Sequence, residues 1–425
     1  MQQRYRLFTA LVGLSIFAIT DAAFAQVKAE APKITVGGYL TEVFKVQDRP
    51  NNPTQVDRNS TALSADAEIY FNLRSVLDNG LIIGGRVELE ASTEADQIDE
   101  RYLTLERADI GKAEFGSTDR ATSKMIYGAP TAIPGYGTID PTGAIAITLA
   151  PSGARTTGNF SKFVGDDAEG INLYTAADRY FGSKAGKGLM LGLSYVPDGC
   201  EDFSQATGAA GSNVTGGSGR SCGGGFGRTT DAGQFSNVYH LGANYVESFG
   251  VFDVGLYAGY ARYAIEANTT SGGATLFQQQ GLQAYAFGGM LTYNISGGAA
   301  VQVGGLYKNE ETGSKNPSTG LGGDKRDVYT AGTRYISNGV NPGSYSLGID
   351  YARSKTDQGN TAGVVTAGRD TYTWVSAGAT YQLGPGVLGF AGLGRYEYED
   401  AVAPTAATNN DSKVNFGLLG MRVDF

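Results

Sequence analysis

The chain holds one histidine and two cysteines in 425 residues, so few side chains are available for nucleophilic or metal chemistry. A zinc site built on several His or Cys ligands is excluded, as is a c-type haem, which needs CxxCH. A Ser-His-Asp triad has only His240 to use. That residue stands in the strand-like run Val238-Tyr-His-Leu-Gly-Ala-Asn-Tyr245, with no motif tying a Ser or Asp to it. Gly223-Gly-Gly-Phe-Gly227 resembles a phosphate cradle but lacks the following Lys-Ser/Thr and the strand–loop–helix context. The cluster Asp166, Asp167 and Glu169 offers hard oxygen ligands for calcium, although an exposed acidic tip is the simpler reading. None of these groups assembles a catalytic set, so the chain reads as no enzyme, without cofactor and without a metal site. What remains is fixed charge at alternating positions. Arg74, Arg86 and Lys112 recur with Glu88 and Glu114 on the polar faces of strand-like segments.

Those charges need elements that hold them. Sixty-three residues are glycine, about twice the usual share, which disfavours a helical protein because each helical Gly costs ~1 kcal/mol relative to Ala. Period-2 alternation recurs along the chain instead. In 67–73 one face carries Ala67, Ile69, Phe71 and Leu73, and the other carries Glu68, Tyr70 and Asn72. In 83–90 Ile83, Val87 and Leu89 oppose Arg86, Glu88 and Glu90. Asp78-Asn-Gly80 between them is hairpin chemistry. Sixteen such segments are expected: 33–46, 61–77, 80–92, 98–108, 110–117, 168–176, 187–197, 235–247, 249–265, 278–295, 297–309, 324–336, 342–354, 369–382, 386–399 and 411–425. On the first, Glu42 shares a face with Ile34, Val36, Leu40 and Phe44. Tyr372 and Trp374 oppose Val375, Ala377 and Tyr381, leaving the outward face of that segment open.

Connections between segments alternate short and long. The longest is 118–167, which carries Ile126, Tyr127, Ile133, Tyr136 and Ile139 and so has something to bury. Sorted turn lengths are the mark of up-and-down hairpins through a membrane, with short periplasmic turns and longer extracellular loops. Closing the sheet removes the edges that lipid forbids. Sixteen strands leave an aqueous lumen. Tyrosines including Tyr39, Tyr70, Tyr245, Tyr260, Tyr285, Tyr293, Tyr307, Tyr335, Tyr351 and Tyr381 recur where girdles would lie.

The N-terminus agrees with export. Arg4 and Arg6 precede the apolar run 7–19, and Ala23, Phe24 and Ala25 give a small-x-small end. The reading is a signal peptide at 1–25 and a single barrel domain at 26–425. Export places Cys200 and Cys222 in an oxidising compartment, where a disulfide worth ~3 kcal/mol is expected. The net charge of −9 argues against nucleic acid as a partner.

Several stretches resemble the general porins of Gram-negative bacteria: Ile110-Gly-Lys-Ala-Glu-Phe-Gly116, Gly170-Ile-Asn-Leu-Tyr174, Gly188-Leu-Met-Leu-Gly-Leu-Ser-Tyr195 and the terminal Met421-Arg-Val-Asp-Phe425. The resemblance implies an all-β, 16-stranded antiparallel transmembrane barrel in the outer membrane, with 118–167 folded into the lumen as a constriction. It implies a homotrimer surrounded by outer-membrane lipid and lipopolysaccharide. Phe425 would be the signal read by the barrel assembly machinery. The implied function is passive diffusion of ions and small hydrophilic solutes, filtered by opposed charges at the narrow point. Arg74, Arg86, Arg101 and Lys112 are then the candidate basic wall. Glu88, Glu114, Asp119 and Asp140 are the candidate acidic groups, with Asp140 facing the arginines. The acidic composition favours cations, and an arginine cluster would reverse that. Two alternatives stay open: a substrate-specific channel, and an occluded structural or enzymatic barrel.

Overall fold

The computed structural model describes residues 29–48, 60–91, 98–131, 133, 163–176, 187–198, 235–265, 279–311, 325–339, 341–357, 368–399 and 412–425. The export signal at 1–25, Asp140 and the Cys200–Cys222 pair lie outside them. Sixteen strands among the described residues close into one antiparallel barrel. In chain order they are β1 (Glu30–Gln47), β2 (Thr61–Val76), β3 (Ile82–Glu90), β4 (Arg101–Arg107), β5 (Gly111–Ser117), β6 (Glu169–Thr175), β7 (Gly188–Asp198) and β8 (Phe235–Phe249). The second half comprises β9 (Phe252–Ile265), β10 (Gln279–Asn294), β11 (Ala300–Glu311), β12 (Lys325–Ile336), β13 (Tyr345–Asp357), β14 (Arg369–Gly384), β15 (Val387–Glu399) and β16 (Ser412–Asp424). Each expected segment is present, shifted by a few residues at its ends. One turn of helix, α1 (Ala121–Lys124), follows β5.

Every strand pairs with its sequence neighbour, and β1 meets β16 to seal the cylinder. That seam runs from Tyr39 opposite Asp424 to Gln47 opposite Phe416. It is extended by reciprocal backbone bonds between Gly38 and Phe425, 3.1 and 3.0 Å. The short end is made of tight turns. At 77–81, Gly80 sits at φ +79°, and its N–H bonds the Leu77 carbonyl at 2.9 Å. Glycine adopts that conformation without strain.

Pairing fixes which side chains face in. Leu40, Phe44, Leu63, Leu103, Phe287, Leu393 and Leu419 stand exposed on the outside, from 45% for Leu40 and Phe44 up to 76% for Leu63. A soluble protein would bury such a band, whereas lipid covers it. Glu42 lies outside with Leu40 and Phe44, as the alternation reads. Tyr372 and Trp374 face inward. Trp374 is 5% exposed, and its indole N–H donates to Asp350 Oδ1 at 3.2 Å. Val375 and Tyr381 take the outer face of the same strand.

Candidate functional site

The first part of the long connection lies on the inner wall. Its anchor is Arg120, fully buried at 0% exposure. The guanidinium Nη2 donates to the Ala168 carbonyl at 2.7 Å and to the Thr118 carbonyl, so one side chain ties together the outgoing and returning ends of the loop. Burial lowers its pKa, while Asp166 and Asp167 oppose that shift with negative charge. Asp166 braces the same junction. Its carboxylate accepts from the Arg120 N–H at 2.8 Å, from Ser123 Oγ at 2.5 Å and from the Phe163 N–H at 3.0 Å. A carboxylate so engaged is a structural brace rather than an acidic tip. Glu169 turns away to Arg101, 2.5 Å distant. The carboxylates of 166, 167 and 169, weighed above as calcium ligands, therefore do not converge.

From this anchor α1 packs on β7, β8 and β9. The Ala121 N–H donates to Ser194 Oγ at 2.9 Å, and Tyr257 OH donates to the Thr122 carbonyl at 2.7 Å. Thr122 Oγ1 and His240 Nδ1 are hydrogen-bonded at 2.7 Å. The single histidine is 1% exposed and clips the loop to the wall.

Beyond α1 the loop runs in a track of inward-facing glycines. Gly192, Gly242 and Gly259 are successive register partners on β7, β8 and β9. Gly304 pairs with Gly332 across β11 and β12, and Gly378 pairs with Gly392 across β14 and β15. A Cβ at Gly192 would lie 2.5 Å from Met125 Sδ, and one at Gly332 would lie 2.6 Å from the Pro130 carbonyl oxygen. At Gly304 it would collide with the Gly128 carbonyl, and at Gly378 and Gly392 with the Ile133 side chain. Residues 121–133 thus follow the wall from β7 round to β15. Met125 and Phe163 are buried among Tyr257, Ala261, Ala286 and Leu306. Ile133 is buried with Trp374, Phe390, Tyr396 and Phe416.

The charged wall is β1–β5, and the proposed constriction residues fall there unevenly. Arg86 faces in, ion-paired with Glu88, its Cζ 3.9 Å above the Tyr70 ring. Lys112 faces in, 2.6 Å from Glu114. Glu114 is 1% exposed, beneath α1, where it also meets Lys124 at 3.1 Å and accepts from Asn172 Nδ2 at 2.9 Å. It clamps the loop to the wall instead of facing solute. Arg74 stands at the short-turn rim, 55% exposed and 3.3 Å from Glu30. Arg101 is a correction. Register pairs it with Val87 and Ser117 on the outer face, while Tyr102 and Thr104 take the inner positions. Asp119 heads the loop, beside Glu100, which accepts its N–H at 3.0 Å. The arginine cluster expected to face Asp140 is therefore not assembled by the residues described.

Carboxylates are gathered instead. Glu68, Glu90 and Asp99 bring carboxylate oxygens within 4.8 Å of one another, and all three are partly exposed. Asp66 and Glu88 are buried on the same wall. Tyr39 OH donates to Glu68 at 2.9 Å and to Asp66 at 3.2 Å, and Tyr70 OH donates to Glu68 at 2.7 Å. These donors fix the carboxylates without neutralising them. Glu68 shares its face with Tyr70 and Asn72 in the alternation, so the signal for it was present in the sequence.

A family model described as Gram-negative porin matches residues 9–401. None of the curated proteins matches the chain by sequence. Among solved structures, the barrel is similar to OmpT of Vibrio cholerae in its trimer form. The TM-score is 0.53 at 15% identity, over 93% of this chain and 100% of that one. It is similar to an anion-selective porin of Comamonas acidovorans, with TM-score 0.52 at 14% identity over 93% and 100% of the two chains. The outer membrane channel DcaP of Acinetobacter baumannii gives 0.54 at 11% identity, over 93% and 97%. At these identities the likeness is one of fold.

Proposed function

Because this chain belongs to the Gram-negative porin family, it is an outer-membrane channel for passive diffusion, and we propose that its filter favours cations. The observation that carries this is the wall of β1–β4. Glu68, Glu90 and Asp99 crowd within 4.8 Å of one another, and Asp66 and Glu88 are buried on the same wall. Arg86 is already paired with Glu88. A wall on which one sign of charge predominates, set in a low-dielectric barrel, concentrates the opposite ion beside it. No reacting group is needed, and the reading is a non-enzymatic conduit for ions and small hydrophilic solutes.

The test is reversal potential across a KCl gradient in planar bilayers. The native protein should read cation-preferring, and Glu68→Gln/Glu90→Gln/Asp99→Asn should move the potential toward zero. An anion-preferring native channel, or a triple variant with unchanged potential, would remove these residues from the filter.

The assembly we infer is a homotrimer, and the outward tyrosines support it. They occur on each of β7–β14, among them Tyr195, Tyr239, Tyr260, Tyr307, Tyr351 and Tyr381. In β15, β16 and β1–β6 the tyrosines (Tyr39, Tyr70, Tyr102, Tyr174, Tyr396 and Tyr398) all face in. Lipid-facing strands carry interfacial aromatics, whereas a face covered by another protomer has no use for them. The outward Glu42 then meets protein instead of hydrocarbon, where a carboxylate is costly. An export signal at 1–25 and a terminal assembly signal at Phe425 belong to the same reading.

A further inference from the structure

Beneath α1 an amine, a carboxylate and an amide meet at one atom. Glu114 Oε2 lies 3.1 Å from Lys124 Nζ and accepts from Asn172 Nδ2 at 2.9 Å. The acid on β5 and the amide on β6 are direct register partners on the inner face, and both are buried. The one-turn helix brings the amine over them. The Tyr102 ring covers that amine, its centroid 4.6 Å from Nζ, and Tyr174 OH lies 3.4 Å from the same Glu114 oxygen. Asn172 is held by its nitrogen alone. Its Nδ2 also donates to the Asp119 carbonyl at 2.9 Å, while Oδ1, although buried, has no hydrogen-bond partner among the described residues.

The charge count favours a reaction. Lys112 Nζ already balances Glu114 from Oε1, at 2.6 Å. Lys124 therefore brings a second ammonium to a single buried carboxylate, and a charge taken from water without its own counter-ion is unfavourable. The shared acceptor oxygen also holds a nucleophile beside an electrophile, which removes the entropic cost of bringing them together.

We propose that Lys124 and Asn172 join in an amide bond, with Glu114 as the proton carrier. Lys124 gives one proton to Glu114 Oε2, and the Nζ lone pair forms the new bond to Asn172 Cγ. The Cγ–Nδ2 bond then breaks. Nδ2 takes the proton back from Glu114, takes another from Nζ, and leaves as ammonium. The ammonium and primary amide thus become a secondary amide and a free ammonium ion, with no oxidant or further reactant. The surplus positive charge departs with the leaving group, and Glu114 stays paired with Lys112. The product ties α1 covalently to β6, so the first turn of the long loop cannot lift from the wall.

The test follows full-length chain as it is refolded from urea into detergent, reading intact mass and tryptic peptides with time. The chain in urea should have its sequence mass. The folded barrel should be lighter by one ammonia, and its digest should contain a branched peptide joining Lys124 to Asn172. Lys124→Arg and Glu114→Gln, each shown to be folded by heat-modifiable migration, should keep the full mass, whereas Lys112→Arg should still react. Lys187, Asp253 and Asn294 supply an internal control. They offer the same three groups, but Lys187 is 3.8 Å from Asp253 and the set is open to water, so no branch should form there. A folded native barrel without the branched peptide would overturn the proposal. So would an ammonia loss confined to linear peptides, which cyclisation at Asn79-Gly80 would give. A branch through Lys112 would remove Lys124 as the nucleophile, and a branch in Glu114→Gln would remove Glu114 as the proton carrier. These readouts do not involve conduction, so they stand apart from the fate of the cation filter.

Discussion

At the scale of single residues, several charged side chains at the long loop serve as braces, while others stand as partly exposed carboxylates. Asp166 shows the difference. As one of three clustered acidic residues in a long loop it reads as part of an exposed tip, yet it accepts three hydrogen bonds at the loop's neck. Asp166→Ala would leave the Arg120 and Phe163 N–H groups without that acceptor, at about 1–3 kcal/mol each where water cannot replace it. The expected result is a lower unfolding temperature and frequent brief closures in single-channel records, with selectivity unchanged. A quiet channel of native stability would show that the brace is dispensable. Glu114 belongs with it, since it bridges Lys112 and Lys124 and is hidden from solute. Arg101 lies on the outer side of β4, and the alternation marks it there. Leu103 and Leu105 share its parity and are apolar, so the outer face of β4 was marked. Asp166 had no such marker, because a carboxylate's partners are set by tertiary contacts that alternation does not encode.

At the scale of elements, the sixteen strands were legible because their signal is local. Each carries its own period of two and its own turn, and neighbouring strands pair without crossovers. The path of the long loop was only half legible. Its apolar residues announced that it packs, but the surface it packs on is made of glycines, which leave no hydrophobic pattern. Their parity is the signal that was available: Gly192, Gly242, Gly304, Gly332 and Gly378 all fall on inward positions of successive or nearby strands. This yields a test of the track as an element. In Gly304→Leu the new side chain meets backbone, the Gly128 carbonyl and the Gly289 carbonyl at 2.7 Å, so the loop must lift. Overpacking of this kind costs about 1–3 kcal/mol. Altered unitary conductance with unchanged strand content by circular dichroism is expected. Gly384→Leu, where an added Cβ meets nothing within 4 Å, should be silent. If both variants conduct like the native protein, residues 121–133 do not define the passage.

At the scale of the whole molecule, the barrel has two unlike halves. Strands β7–β14 present tyrosines outside and receive the loop on their inner side, while β1–β5 present charge inside and an outer surface that is mostly apolar and has no tyrosine. Leu40→Arg places a cation on that outer face, where Leu40 is 45% exposed in the single chain. If three chains meet there, semi-native electrophoresis should show the trimer band lost and a folded monomer in its place. Leu347→Arg, on the girdled face and 50% exposed, should instead lower the yield of inserted protein and spare the trimer. A Leu40→Arg protein that still runs as a trimer would move the contact elsewhere. The inner carboxylates of β2 sit at even positions, 66 and 68, and its outer apolar residues at odd ones, 67, 69, 71 and 73. One short strand therefore carries two messages in alternate letters, one setting which solutes pass and the other which neighbour is accepted. Because substitutions in one set leave the other unread, a lineage can drift in permeability while keeping its quaternary form. A single-residue deletion in β2, by contrast, would exchange the two messages and cost both at once.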